Sequence, residues 1–252
     1  MDSRLRAFRV GIDLDGVLAD FEAAYRAVEG RLFGTAARDP EIDDPGSRPD
    51  AGSEAVAQVV PPEPPRGSRN LLHRHADRIW QVIGATPDFW RSLVAIDPDV
   101  LPLVDELARK YQWDIFFITQ RPPTAGETVQ RQTQQWLIEH GFPFPSVISL
   151  SGPRGKVAAA LSLDFLIDDL PTNCVDVIAE SQARPILILR DAEAPAEATA
   201  TRLGITVVPS LREALRIVEA AQQARVQPTM LRRLARRVGS RGFRLRKIIE
   251  DA

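Results

Sequence analysis

Short apolar runs recur along this chain, and amphipathic stretches separate them. Runs in which nearly every position is apolar are typical of strands buried on both faces. They predict strands over 7–13, 113–119, 146–150, 164–168, 185–190 and 205–208. Between them, apolar positions spaced three or four residues apart predict helices over 20–28, 69–84, 101–108, 127–139, 155–161 and 210–222. Strands that alternate with helices indicate an α/β fold with a parallel sheet and right-handed crossovers.

Residues 38–68 interrupt this alternation. They are rich in Asp, Pro, Gly, Ser and Glu and contain the run Pro61-Pro62-Glu63-Pro64-Pro65. Proline lacks the backbone donor that a helix needs, so this segment is predicted to be loop or extended chain. Only residues 54–60 have a pattern compatible with a short helix within it.

The composition is that of a globular protein without disulfides or membrane spans. The chain has 252 residues, 44% of them hydrophobic and 26% charged, as in an ordinary globular protein. A net charge of −2 gives no general attraction to nucleic acid or membrane. The single cysteine, Cys174, excludes an intramolecular disulfide and fits a reducing compartment. No signal peptide precedes the first strand, and no apolar run approaches the ~20 residues of a membrane span, so we expect a cytoplasmic, soluble protein.

The C-terminal residues, 225–252, differ from the rest in charge. They carry nine Arg and Lys against two acidic residues, a local charge of +7. Leu231, Leu234, Ala235 and Val238 form an apolar stripe at helical spacing. A basic amphipathic helix of this kind can bind an anionic partner such as nucleic acid or acidic lipid, or it can pack its stripe on the core.

Two carboxylates mark the end of the first strand. Asp13 and Asp15 follow an apolar run and precede Gly16. In open α/β sheets, ligands bind at the carboxyl ends of the strands. Carboxylates this close repel each other unless a divalent cation or a shared proton intervenes. A calcium-binding loop is excluded, because its required Gly and Glu positions are occupied by Leu18 and Ala24.

Three further segments complete a family pattern. Residues 13–17 (DLDGV) resemble the first motif of the haloacid dehalogenase (HAD) superfamily of phosphohydrolases, and 115–119 (IFFIT), Lys156 and 165–169 (FLIDD) resemble its other three motifs in order. The resemblance implies a Rossmann-like parallel sheet with helices on both faces and a small, mostly helical cap inserted after the first strand. It divides the chain into a catalytic core (1–20 and 96–224), a cap insertion (21–95) and the basic tail (225–252).

The resemblance also implies roles for single residues. Asp13 would be the nucleophile and Asp15 the general acid and base. Thr119, Gln120 and Lys156 would contact the phosphoryl group. The expected cofactor is Mg²⁺, held by the Asp13 side chain, the Asp15 backbone carbonyl and one acid of the pair formed by Asp168 and Asp169. We favour Asp169 as the direct ligand, with Asp168 behind it.

A narrower resemblance points to the substrate. Residues 13–22 (DLDGVLADFE) are similar to the opening motif of the 5′(3′)-deoxyribonucleotidases, and the similarity extends over about residues 8–190. In that group, aromatic residues of the cap hold the base, and Phe21, Phe89 and Trp90 stand at comparable positions. The same aromatic residues are also compatible with the core of the cap. One departure is Gln120, where the group usually has Ser, which leaves substrate choice open.

These observations lead to one main hypothesis: a Mg²⁺-dependent phosphatase of nucleoside monophosphates. Two alternatives stay open at this point. One is a phosphatase of other small phosphomonoesters or of nucleic-acid ends, the latter recruited by the basic tail. The other is a non-catalytic binding protein with the same fold, which the presence of all four motifs disfavours.

Overall fold

The structure, a computed structural model, describes residues 7–34, 66–190 and 194–226. Its centre is one six-stranded sheet in which all pairs are parallel and the strand order is β3-β2-β1-β4-β5-β6. The strands are β1 Arg9–Asp13, β2 Asp114–Thr119, β3 Ser146–Ser149, β4 Phe165–Asp168, β5 Arg184–Ile188 and β6 Thr206–Val208. All six predicted strands are confirmed, with differences only at their ends.

Eight α-helices and one short 3₁₀ helix, Phe89–Arg91, are present in the described residues. The α-helices are α1 Phe21–Phe33, α2 Arg66–Ala85, α3 Val100–Tyr111, α4 Val129–Glu139, α5 Arg154–Ala160, α6 Pro171–Glu180, α7 Ala194–Arg202 and α8 Leu211–Val226. Six of them were predicted, whereas α6 and α7 had no counterpart in the sequence analysis. The α/β class is confirmed.

Alternate residues of the strands face two separate layers of the core. Ile167 and Ile186 belong to the larger cluster, in which residues of α3, α4 and α8 take part. Leu166 packs with residues of α5 and α6 on the other face, and Leu187 packs with residues of α6 and α7. Burial on both faces explains why β1, β4 and β5 are mostly apolar instead of alternating with polar residues.

The end of α2 and the 3₁₀ helix after it are bound to α4 and to the loop that follows β2. The Trp90 indole N–H donates to the Pro122 carbonyl at 2.9 Å, and the Trp90 backbone N–H donates to Gln132 Oε1 at 3.0 Å. The Ala125 N–H donates to the Gly84 carbonyl at 2.8 Å. These contacts hold the short 3₁₀ helix beside the carboxyl end of β2.

Some predictions fall outside the described residues. The proline-rich run, the possible helix over 54–60 and the basic segment from residue 227 onward all lie there. The proposed division into core, cap insertion and tail stays a prediction. None of the helices in the described ranges has the length and apolar character needed to cross a membrane.

Candidate active site

The site lies where three neighbouring strands end. β1 is flanked by β2 on one side and β4 on the other, so Asp13, Thr119 and Asp168 occupy the carboxyl ends of adjacent strands. The connection after β1 leads to β2 on one side, and the later connection from β3 crosses to β4 on the other side. This reversal of strand order makes the edge the topological switch point, where α/β sheets bind ligands. An open cavity of about 1210 Å³ lies there, and Asp13, Asp15 and Asp169 are among its lining residues.

Asp13 is a buried carboxylate with a buried cation beside it. Only 5% of Asp13 and 4% of Arg154 are exposed. Arg154 Nη2 donates to Asp13 Oδ1, and Arg154 Nε donates to Asp168 Oδ2 at 3.3 Å. Burial raises the pKa of Asp13 well above its ordinary value, an effect that the Arg154 charge opposes and the neighbouring carboxylates reinforce.

Arg154 has unused hydrogen-bonding capacity. Within the described part of the chain, its buried Nη1 has no partner. A buried guanidinium nitrogen without an acceptor costs free energy, because its lost hydration is not replaced. The arrangement therefore favours an additional anionic or oxygen-rich group next to Asp13.

Asp168 and Asp169 have different environments. Asp168 is fully buried, and its oxygens accept from the Leu170 N–H at 2.9 Å and from Asn173 Nδ2 at 3.0 Å. Asp169 instead lines the cavity. Burial, together with the charge of Asp168, raises the pKa of Asp169 to about 7. Asp168 is thus saturated with protein donors, and Asp169 is the acid presented to a ligand.

Two features of the structure require glycine at position 16: its backbone conformation and its contact with Asp169. Its φ is +76°, in the left-handed region that favours glycine. A Cβ atom placed on it would lie 1.8 Å from Asp169 Oδ2. The Asp-x-Asp-Gly turn therefore leaves room for the Asp169 carboxylate to pack directly against its backbone.

Asp15 is held by a second arginine. Arg121 Nε lies 2.9 Å from Asp15 Oδ2 and Arg121 Nη2 lies 2.7 Å from Asp15 Oδ1. The Arg121 side chain is fully buried, and its Nη1 donates to the Thr133 hydroxyl at 3.0 Å. This fork leaves the Asp15 side chain 25% exposed, on the wall of the cavity.

The three residues expected at the phosphoryl group occupy different places. Thr119 is buried at the end of β2 and Gln120 is exposed on the cavity wall. Lys156 is an exposed residue of the first turn of α5 and is not among the residues that line the cavity. In this structure the cation that contacts Asp13 is Arg154, two positions earlier.

The aromatic residues form a wall of the cavity, with one exception. Phe21 and Trp90 are among its lining residues, although only 1% of Trp90 is exposed. Phe89 is buried outside the lining and packs edge-on against Trp90. The ring of Phe21 stacks on Trp80 of α2, with centroids 5.6 Å apart and planes 21° apart. Trp80 also lines the cavity.

Sequence reasoning missed Arg121, Arg154 and Trp80. Arg121 follows Gln120 directly, and Arg154 stands two residues before Lys156, so both were adjacent to motif residues. Trp80 lies three residues before Ile83 on the apolar stripe of α2, a position that pattern alone assigns to the core.

One family model matches most of the chain. The family model described as "5′ nucleotidase, deoxy (Pyrimidine), cytosolic type C protein" matches residues 6–193, about three quarters of the chain. No curated protein matched the chain significantly.

Among solved structures, the chain is similar to a haloacid dehalogenase-like hydrolase from Streptococcus pneumoniae, with 12% identity and a TM-score of 0.51 over 84% of this chain and 98% of that chain. A putative β-phosphoglucomutase from Thermotoga maritima matches with 14% identity and a TM-score of 0.45 over 84% and 99%. A putative HAD hydrolase from Bacillus subtilis, solved with magnesium, matches with 14% identity and a TM-score of 0.48 over 85% and 100%.

The first of these structures supports the fold alone, because identity this low says nothing about substrate. The family assignment instead comes from the sequence match, which spans Asp13, Thr119 and Asp168. The fold is similar to that of a haloacid dehalogenase-like hydrolase. On the family match, the chain belongs to the cytosolic type C 5′-nucleotidase family and is a phosphatase.

Proposed function

We propose that this protein is a Mg²⁺-dependent hydrolase of nucleoside or deoxynucleoside monophosphates that works through an aspartyl-phosphate intermediate. The observation that carries the proposal is the placement of Asp13. It is a buried carboxylate beside a buried arginine, it opens on a cavity, and two further carboxylates, Asp15 and Asp169, share that cavity.

The reaction takes two steps. In the first, a carboxylate oxygen of Asp13 bonds to phosphorus while the bond from phosphorus to the leaving oxygen breaks, and Asp15 gives that oxygen a proton. In the second, Asp15 takes a proton from a water molecule whose oxygen bonds to phosphorus. The bond between phosphorus and Asp13 then breaks, which releases inorganic phosphate and restores the Asp13 carboxylate.

The chain supplies positive charge for an anionic substrate. Arg154 lies beside Asp13, and its unpaired Nη1 can donate a hydrogen bond to a phosphoryl oxygen. Lys156, in the first turn of the same helix, reaches the phosphoryl group only by a change of side-chain conformation, because it is exposed here. Thr119 would donate its hydroxyl to a phosphoryl oxygen.

The donor set fits Mg²⁺. Among the described residues, no group of three or more His, Cys, Asp or Glu side chains is arranged to hold a metal. Mg²⁺ does not require such a group, because it prefers oxygen ligands and keeps several of its waters. Asp13, Asp169 and the backbone carbonyl of Asp15 would hold it, with Asp168 oriented by Asn173 behind them. When bound, the ion would neutralise charge on the transferring phosphoryl group.

The substrate class is proposed from the aromatic wall. Phe21, Trp80 and Trp90 line the same cavity as the carboxylates. Stacking of a base on an aromatic ring contributes about 1–3 kcal/mol. Since ~1.4 kcal/mol corresponds to a factor of ten, a nucleotide should be preferred over a sugar phosphate by roughly tenfold or more in kcat/KM.

The test is a phosphate-release screen over nucleoside monophosphates, sugar phosphates and p-nitrophenyl phosphate, with and without Mg²⁺. We expect activity to disappear in excess chelator, to return with Mg²⁺ and to be absent in Asp13→Asn, which also forms no covalent phospho-enzyme. Full activity of Asp13→Asn would exclude the mechanism.

The same screen tests the aromatic wall. Phe21→Ala should remove most of the preference for nucleotides and leave p-nitrophenyl phosphate nearly unaffected. Phe33→Ala is the matched control, because Phe33 belongs to the same helix and is outside the cavity lining. If sugar phosphates are hydrolysed better than every nucleotide tested, the nucleotidase proposal is wrong and the phosphatase chemistry survives.

A further inference from the structure

The geometry points to Arg121 as a positioning residue that holds Asp15 in place for both proton transfers. This inference rests on the proposed function and assigns a role to a residue outside the four motifs. Arg121 belongs to the turn after β2, directly after the Gln120 at which the chain departs from the deoxyribonucleotidase pattern.

The contact is a two-point fork. Arg121 Nε and Nη2 together approach both oxygens of Asp15, at distances from 2.7 to 3.1 Å. A bidentate guanidinium–carboxylate pair fixes the plane of the carboxylate as well as its position. The fork binds one edge of the Asp15 carboxylate and leaves its side chain 25% exposed on the cavity wall.

Arg121 is itself immobilised from two other directions. Its Nη1 donates to Thr133 Oγ1 at 3.0 Å, and Thr133 is a fully buried residue of α4. The Trp90 ring centroid lies 4.9 Å from the guanidinium carbon. Each of the three guanidinium nitrogens thus has a partner within the protein. Arg121 borders the cavity, but its side chain is fully buried, which favours a role exerted through Asp15.

Holding Asp15 matters most when the leaving oxygen needs a proton. The ribose or deoxyribose oxygen of a nucleotide is a poor leaving group and depends on a positioned acid, whereas p-nitrophenolate leaves as a stable anion without one. Loss of Arg121 should thus slow departure of the leaving group from a nucleotide and leave departure of p-nitrophenolate nearly unchanged. A merely structural role would slow both in proportion.

The experiment compares kcat/KM for a nucleoside monophosphate and for p-nitrophenyl phosphate, because kcat/KM contains only the steps up to departure of the leaving group. In Arg121→Gln, we expect the nucleotide value to fall at least about tenfold and the p-nitrophenyl phosphate value to change by less than about threefold. Arg212→Gln is the matched control, since Arg212 makes the same kind of fork with Asp97 and neither residue lines the cavity. It should change neither value beyond about threefold.

A second variant guards against misfolding of Arg121→Gln. Thr133→Val removes the hydrogen bond to Nη1 and leaves the fork in place, so a smaller effect with the same selectivity is expected. An equal loss on both substrates in the two variants overturns the positioning role while the proposed function stands. If the wild-type protein hydrolyses neither substrate, both proposals fail.

Discussion

At the scale of single residues, α5 presents two cations with different surroundings. Arg154 is buried between Asp13 and Asp168, whereas Lys156 is exposed two positions later. Residues two apart on a helix project in different directions, so Lys156 would reach the site only by a change of its side-chain conformation. Arg154 should therefore stabilise the fold of the site. Lys156 should contribute to turnover and not to stability.

This difference gives a paired prediction. Arg154→Met leaves two buried carboxylates without their cation and should lower the free energy of unfolding by about 3 kcal/mol or more. Lys156→Met should leave it nearly unchanged and should lower kcat, because Lys156 is proposed to contact the phosphoryl group during turnover. Denaturant unfolding and phosphate release, measured on both variants, check this. Equal stability of the two variants would contradict the structural role of Arg154.

The carboxylates of the site could be predicted from sequence, and the arginines could not. Asp13 and Asp168 end apolar strands, and the carboxyl ends of parallel strands meet at one edge of the sheet. Arg154 and Arg121 lie in a short helix and a turn, where the direction of a side chain depends on packing. Two arginines near motif residues are not distinguishable from surface charge by spacing alone.

At the scale of elements, the contact between α5 and α6 sets where Arg154 points. Gly155 follows Arg154, and a Cβ atom on it would lie 2.2 Å from the carbonyl oxygen of Asp176 in α6. The two helices therefore approach as closely as a residue without a side chain allows. Sequence reasoning found α5 and gave α6 no bounds, although Pro171 at its first position is a common start signal.

The close approach is testable with two helical glycines. Gly155→Ala should force α5 away from α6 and lower stability by about 1–3 kcal/mol. Gly30→Ala is the matched control, because no atom of residues 7–34, 66–190 or 194–226 lies within 4 Å of a Cβ atom there. Alanine should raise stability at that position by about 0.5–1 kcal/mol, since it restricts the unfolded chain. Thermal unfolding of both variants measures the two changes in stability. If both variants are stabilised, or both destabilised, the prediction is wrong.

At the scale of the whole molecule, an ion pair joins two distant parts of the chain. Arg212 of α8 forks onto Asp97, which lies just before α3. Hydrogen bonding to Arg212 lowers the pKa of Asp97, although burial opposes the shift. A carboxylate whose pKa is lower in the folded state adds stability above its unfolded pKa, about 3.9, and that stability is lost as the pH falls.

The pair therefore predicts a pH-dependent difference in stability. Asp97→Asn should have a lower melting temperature than the wild type at pH 7, and the difference should shrink as the pH falls toward about 3. Arg212→Gln should show the same dependence, because it removes the other partner. The effect should be small, since both side chains are more than 30% exposed. A difference in melting temperature that stays constant from pH 7 to about pH 3 would contradict this prediction.

The position of β1 in the sheet also fixes when the site can assemble during synthesis. Both strands that pair with β1 come much later in the chain, β2 from Asp114 and β4 from Phe165. At about 5–20 residues per second, the ribosome needs roughly 8–30 s to proceed from Asp13 to Phe165. Until then the apolar β1 lacks one neighbour and Asp13 lacks the buried setting that Asp168 completes. A nascent chain stopped before β4 would therefore carry an exposed, aggregation-prone strand edge and no active site, which makes β1 a candidate segment for chaperone binding during translation.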